Sequence, residues 1–302
     1  MEHSIRVDAH HHVWDLAVRD QEWTRGLTAL ERSFSLDDLL PSLESNDVRA
    51  TVLVQTLNVT EETQELLEVA KNSSVVAGVV GWADITRGDI SDELSRLHSL
   101  PGGELLVGIR HLVQDERDPQ WLCRADVLDG LAKLEDAAIV YDLLVRPHQI
   151  PSAIKVVQSR PNLRFVLDHF GKPQIGEGLL EPWRSQMNEL SQCENVVVKF
   201  SGLVTEADHT RWRTVDLRPY VEVVLSEFGP QRMMFGSDWP VCQLAASYEQ
   251  VVMLAEELTS QLSPTEKTSP FGDTAVHWYG LDVTQMLPEA EMPTVQRQDG
   301  VE

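Results

Sequence analysis

Three consecutive histidines stand near the start of the chain, in Asp8-Ala9-His10-His11-His12-Val13-Trp14. Successive side chains of an extended strand point to opposite faces, so His10 and His12 share one face and His11 takes the other. Two imidazoles on one face can chelate a divalent metal or polarise a carbonyl. His169 follows an apolar run in Phe165-Val166-Leu167-Asp168-His169-Phe170-Gly171. Asp238 does the same in Phe235-Gly236-Ser237-Asp238-Trp239-Pro240. A carboxylate so placed can ligate a metal or take a proton from an attacking water. Each residue alone has an ordinary explanation: a polar turn, a core histidine bonded to Asp168, a turn-forming aspartate. The ordered set, HxH at one strand end, His at another and Asp at a third, points instead to a functional site.

Two cations accompany them. Arg110, in Gly108-Ile109-Arg110-His111, could clamp a carboxylate or an oxyanion through its planar fork, or serve a structural ion pair. Lys199, between Val198 and Phe200, is a substrate cation if it points inward and a snorkelling side chain if outward. His111 is grouped with these substrate-binding candidates. Trp14, Trp82 and Trp239 lie at or just past strand ends, where indoles could wall a pocket for a ring with CH faces.

Other chemistries are missing. The segment Tyr141-Asp142-Leu143-Leu144-Val145-Arg146 ends without a histidine, and no bridging lysine is evident, so a two-metal site is short of ligands. One zinc or another single divalent ion, or none, is the expectation. No GxSxG elbow, P-loop or GxGxxG fingerprint occurs, and Cys242 has no evident partner. His98, His148 and His277 read as surface or packing residues.

The elements that must position these groups are eight β-branched runs: Ile5–His12, Thr51–Gln55, Val75–Asp84, Leu105–His111, Ile139–Val145, Arg164–His169, Val196–Ser201 and Arg232–Asp238. Their apolar residues are continuous rather than alternating, as befits parallel strands buried on both faces. Helical stripes lie between them. Leu66, Leu67, Val69 and Ala70 share one side of Glu61–Lys71, with Thr60 as its expected N-cap. Val127, Leu128, Leu131 and Leu134 form a second stripe. Tyr220, Val223, Val224 and Phe228 form a third, before Gly229-Pro230, and Val251, Val252, Ala255 and Leu258 a fourth. Strand and helix alternating eight times predict a single (β/α)8 barrel over residues 1–281, with a doubly wound open sheet as the competitor. Segment Arg19–Ser33, carrying Trp23, is expected to cover the barrel mouth, and 282–302 to form a tail or arm.

Composition narrows the partners. The 302 residues hold 25 Lys+Arg against 48 Asp+Glu, a net charge of −23, which disfavours nucleic acid and anionic membranes as partners. Three widely spaced cysteines suggest reduced thiols and a cytoplasmic setting. The start Met1-Glu2-His3-Ser4 lacks a basic-then-apolar pattern, and the densest apolar run, Val75 to Ala83, is too short to span a bilayer. A small-molecule substrate is expected; a homo-oligomer is left open.

These stretches resemble the amidohydrolase superfamily, in particular its amidohydrolase-2, lactonase-like group, from about Val7 to Leu281. With Lys199-Phe200-Ser201-Gly202-Leu203 and Leu217-Arg218-Pro219-Tyr220, they are most similar to the L-fuconolactonase and L-rhamnonolactonase branch. The resemblance implies a distorted (β/α)8 barrel that opens sugar-acid lactones. By motif position it makes His10 and His12 the HxH pair, His169 the sixth-strand histidine and Asp238 the catalytic aspartate. A zinc would engage His10, His12 and Asp238. Two alternatives are a metal-dependent decarboxylase of an unsaturated acid and a hydrolase of a dicarboxylate lactone; a barrel that only binds its ligand is a third.

Overall fold

A computed structural model describes residues 5–286. Eight parallel strands follow one another around a single sheet in chain order. They are β1 (Val7–His11), β2 (Ala50–Val54), β3 (Val76–Gly81), β4 (Leu106–His111), β5 (Val140–Leu143), β6 (Phe165–Leu167), β7 (Val196–Phe200) and β8 (Met233–Phe235). Beyond the end of β8 the sheet closes on itself: Asp238 N–H donates to His10 O at 2.8 Å and His12 N–H to Trp239 O at 2.7 Å. The expected barrel is therefore the fold, and the open-sheet competitor fails because β1 and β8 meet.

Helices return each strand to the next: α1 (Leu36–Ser45), α2 (Thr60–Lys71), α3 (Ile90–His98), α4 (Ala125–Asp136), α5 (Ile150–Ser159), α6 (Trp183–Ser191), α7 (Thr214–Phe228) and α8 (Tyr248–Leu258). Short α9 (Pro264–Thr268) and α10 (Thr274–Tyr279) follow. The expected stripes face the strands: Leu66, Leu67, Val127, Leu131, Tyr220, Val224, Val251 and Leu258 are all buried in one core. Thr60 is the first helical residue rather than the cap, because Val59 holds the extended conformation before it.

Inside the barrel, Val52, Val140, Val166, Val197 and Met234 form an apolar floor against which Ala275, Tyr279 and Leu281 pack. α10 thereby plugs the N-terminal end. Trp278 Nε1–H, donating to Phe165 O at 3.1 Å at the start of β6, fixes it there. The opposite, C-terminal end is left for chemistry. Residues 283 and 286 of the expected tail also pack on this lower cluster. Residues 287–302 lie outside the described residues.

Strand ends depart from expectation where the site begins. β6 stops at Leu167 and β8 at Phe235, short of His169 and Asp238. Both residues adopt left-handed backbone, φ 51° and 57°, and that conformation cannot continue a ladder. Non-glycine residues held there cost on the order of 1–3 kcal/mol each and cluster where function fixes them. β1 carries a second irregularity. Its register against β2 shifts between Asp8 and His11, the mark of a β-bulge. Ala9 packs on the inner floor, yet His10 also turns inward to meet Asp238 and Arg110, so the bulge re-aims the strand's last residues.

Candidate active site at the C-terminal strand ends

Asp238 is the focus of the barrel mouth. Its Oδ1 lies 3.4 Å from His12 Nε2, 3.7 Å from His10 Nε2 and 4.0 Å from His169 Nε2. All four side chains are buried. Burial by itself would raise the Asp238 carboxyl, but the imidazoles of His169, His12 and His10 reverse this and hold it well below the usual carboxylate range. It is therefore ionised at neutral pH. Burial lowers His169 to about 4, so that ring is neutral there. His10 is driven well below the ordinary imidazole value, first by burial and then by the nearby Lys199.

Hydrogen bonding places a proton on each of two rings. His12 Nδ1 faces Val54 O at 2.7 Å; a carbonyl only accepts, so Nδ1 carries a proton and Nε2 is turned toward Asp238. Arg110 Nη1 approaches His10 Nε2 at 3.3 Å; a guanidinium only donates, so His10 Nε2 accepts and its proton is on Nδ1. That Nδ1 has Asp168 Oδ1 at 3.5 Å. The two Nε2 atoms lie 3.2 Å apart beside a carboxylate oxygen. His10, His12 and Asp238 thus bring together three ligand atoms that could hold a metal ion. Tetrahedral zinc, with bonds of about 2.0–2.1 Å, spaces its donors by about 3.3 Å. His10, His12 and Asp238 fit one such ion in spacing and in donor chemistry.

Two glycines make room for these rings. A Cβ on Gly236 would lie 2.6 Å from His10 Cβ. One on Gly202, whose φ is +67°, would lie 2.7 Å from the His169 ring. His169 Nδ1 is then held by Ser201 Oγ at 2.8 Å.

Beneath the imidazoles lies a layer of opposed charges. Asp168 Oδ2 accepts from Arg110 Nη1 at 2.9 Å, and Asp168 Oδ1 lies 3.1 Å from Lys199 Nζ. Lys199 also donates to Asp142 Oδ2 at 2.5 Å, and Tyr279 Oη donates to the same carboxylate. Burial would raise Asp168, yet Lys199, His10 and Arg110 together hold it well below the carboxylate range. Asp142 goes the other way, pushed up to about 6 by burial against the pull of Lys199.

Above the imidazoles is a cavity of about 530 Å³. His12, Arg110, His169 and Asp238 line its floor, and Trp23, Leu27, Leu57, Leu144, Gln114, Arg146, Lys172, Thr205, Glu206 and His209 are among its walls. The segment expected over the mouth does supply Trp23, which is 37% exposed. Gln21, itself buried, anchors that indole by accepting from Trp23 Nε1 at 2.7 Å.

Five expected contacts are not in this lining. Lys199 points inward, but it is fully buried and committed to Asp142 and Asp168. His111 turns away from Arg110 and stacks on Trp121 at 4.1 Å, between Trp82 Nε1 and Glu116. Trp82 is engaged in that same contact. Trp14 donates to Arg32 O and packs on Phe34, and Trp239 packs on the other side of Phe34. Adjacent residues of a strand without a bulge, such as Arg110 and His111, face opposite sides, and residues past a strand end follow their loops. The wall residues Gln114, Arg146, Lys172 and Thr205 were not singled out beforehand; all sit in loops without periodicity. Asp168 had a signal, since it ends an apolar run beside His169.

A closed parallel barrel that gathers an ionised carboxylate and three imidazoles at its C-terminal mouth is the frame of a barrel hydrolase. The chain belongs to the amidohydrolase family, whose profile matches residues 7–281. It is 38% identical over 290 residues to an L-fucono-1,5-lactonase of Burkholderia multivorans, covering 92% of this chain and 97% of the relative. An L-fucono-1,5-lactonase of Burkholderia ambifaria is 36% identical over 285 residues, with the same coverage. A crystal structure of a Burkholderia multivorans amidohydrolase with bound zinc superposes with a TM-score of 0.87 at 36% identity, covering 92% of this chain and all of that one.

Proposed function

We propose that the chain hydrolyses the lactone ring of a sugar acid, an aldonolactone such as L-fucono- or L-rhamnono-lactone. The observation that carries this reading is the ionised Asp238 at the floor of the cavity, in a chain so similar to two fuconolactonases. The three imidazole contacts fall on Asp238 Oδ1. Its Oδ2 is the base: it takes a proton from a water facing the lactone carbonyl and later gives it to the leaving ring oxygen. The oxyanion needs donors. The Nδ1 proton of His12 is spent on Val54 O. Arg110 has only its Nε–H unpartnered, its other N–H groups being held by His10, Asp168 and Gln55, and His169 supplies its Nε2–H when Ser201 donates to its Nδ1. A zinc held by His10, His12 and Asp238 would supply Lewis-acid polarisation of the same carbonyl. Trp23, Leu27, Leu57 and Leu144 offer apolar surface to the CH face of a sugar ring.

Charge at the mouth favours a neutral lactone over a dicarboxylate one. Of the cations lining the cavity, Arg110 is bound to Asp168 and Lys172 to Glu206 at 2.9 Å. Only Arg146 lacks a carboxylate partner among the described residues.

A pH-indicator assay on a panel of aldonolactones, with and without exhaustive chelation, tests the reading. Rapid acid release from fucono-, galactono- or rhamnono-lactone is expected. Turnover that survives chelation assigns polarisation to the side chains; loss restored by zinc assigns it to the metal. No acid release from any lactone, or carbon dioxide from an unsaturated acid instead, overturns it.

A further inference from the structure

The mechanism uses Asp238 and His10 but leaves one buried carboxylate of the same motif without a part. Asp8 is fully buried and lies on the helix side of β1, opposite the cavity. Its Oδ1 accepts two backbone N–H groups, from Ser237 at 2.8 Å and from His10 at 3.1 Å. Its Oδ2 accepts from the Tyr248 hydroxyl of α8 at 3.2 Å.

The placement of those bonds matters. The His10 N–H lies in the bulge of β1, where the ladder to β2 is out of register. The Ser237 N–H lies past the end of β8, one residue before the left-handed Asp238. Both are backbone donors at breaks in the ladder, where a buried N–H without an acceptor is costly. One side-chain oxygen satisfies both, and so ties the two breaks to each other. The residues tied are His10 itself and the immediate neighbour of Asp238, whose N–H in turn donates to His10 O at 2.8 Å.

We infer that Asp8 is a positioning residue that sets the distance between His10 and Asp238 by clamping the β1 bulge to the turn after β8. This rests on the assignment of Asp238 as the base. Asp8 touches no substrate; it acts through the backbone on both sides of the seam. What the role requires is an acceptor oxygen at that point. An amide oxygen has the two lone pairs needed. A carboxylate one methylene further out keeps the charge but loses the place.

Three variants test this on the lactone that the intact protein turns over. Asp8→Asn keeps the acceptor in place and is expected to hold kcat within about threefold. Asp8→Glu keeps the charge and displaces the oxygens; kcat is expected to fall at least tenfold with KM within about twofold, because the cavity walls are untouched. Asp8→Ala should fall further in kcat, again at near-constant KM, when assayed well below its Tm. Should Asp8→Ala fail to fold, the order of Asn above Glu decides alone. Glu above Asn, or a Tm loss in all three with kcat unchanged, overturns the inference. Asp238→Asn, measured alongside, separates the two claims: full activity there removes the base and with it the premise, whatever Asp8 does.

Discussion

At the scale of the residue, the site depends on keeping His10 and His169 neutral beside an ionised carboxylate. Burial lowers His169 to about 4, so between pH 5 and 8 it carries no proton beyond its one N–H. As pH falls through that value the ring gains a proton and becomes an ion-pair partner for Asp238, which quenches the base. The pH dependence of kcat/KM reports the free enzyme's groups. It is therefore expected to be flat from about pH 5.5 upward and to fall tenfold per unit below about 4. An acid limb near the ordinary imidazole value of about 6.5 would contradict the buried, neutral assignment.

At the scale of the element, the loop after β1 supplies what the strands cannot. Strand ends present polar floor residues, whereas the indole of Trp23 reaches the cavity from a loop pinned by Gln21. A wall touches substrate and transition state alike, so its loss weakens binding rather than chemistry. Trp23→Ala should raise KM about five- to tenfold, as befits an aromatic contact of about 1 kcal/mol. It should leave kcat within about threefold; steady-state kinetics on the best lactone checks both. The barrel itself was legible in the sequence, because continuous apolar runs alternating with helical stripes have few other readings. His10, His12 and Arg110 were legible as inward groups wherever simple alternation holds. Alternation also separates Arg110 from His111, which a strand-end reading groups together. What alternation cannot foresee is the bulge that puts Ala9 and His10 on one side, or the left-handed turns that carry His169 and Asp238 away from their strands. The walls Gln114, Arg146 and Lys172 were illegible because loop shape, not periodicity, brings them in.

At the scale of the whole molecule, the barrel interior is stratified. An apolar floor plugged by α10 supports a layer of opposed charges, and the imidazoles and Asp238 stand on that layer. Arg110 and Lys199 face Asp168 and Asp142, so the layer balances two cations against two carboxylates. Pairs of this kind contribute little net stability, but removal of one member leaves a buried charge uncompensated, at about 3–5 kcal/mol. Lys199→Met should therefore lower unfolding free energy by about that amount in denaturant titration, and adding Asp142→Asn should recover part of it. An unchanged denaturation midpoint would show that the layer is not held by Lys199. The surface, by contrast, carries many exposed Arg–Asp and Arg–Glu pairs, such as Arg87 with Asp89 and Arg211 with Asp208. Pairs that exposed add little to stability. No described helix is long and apolar enough to cross a membrane.

The central claim is that Asp238 activates water for attack on a sugar lactone. Acid release from the preferred aldonolactone, compared between the intact protein and Asp238→Asn, tests it most directly. The variant keeps the volume and the seam, so its Tm should stay within a few degrees, while kcat falls by about 10²–10⁴, the usual contribution of a general base. A folded Asp238→Asn protein that turns over the lactone at near the intact rate would contradict the account.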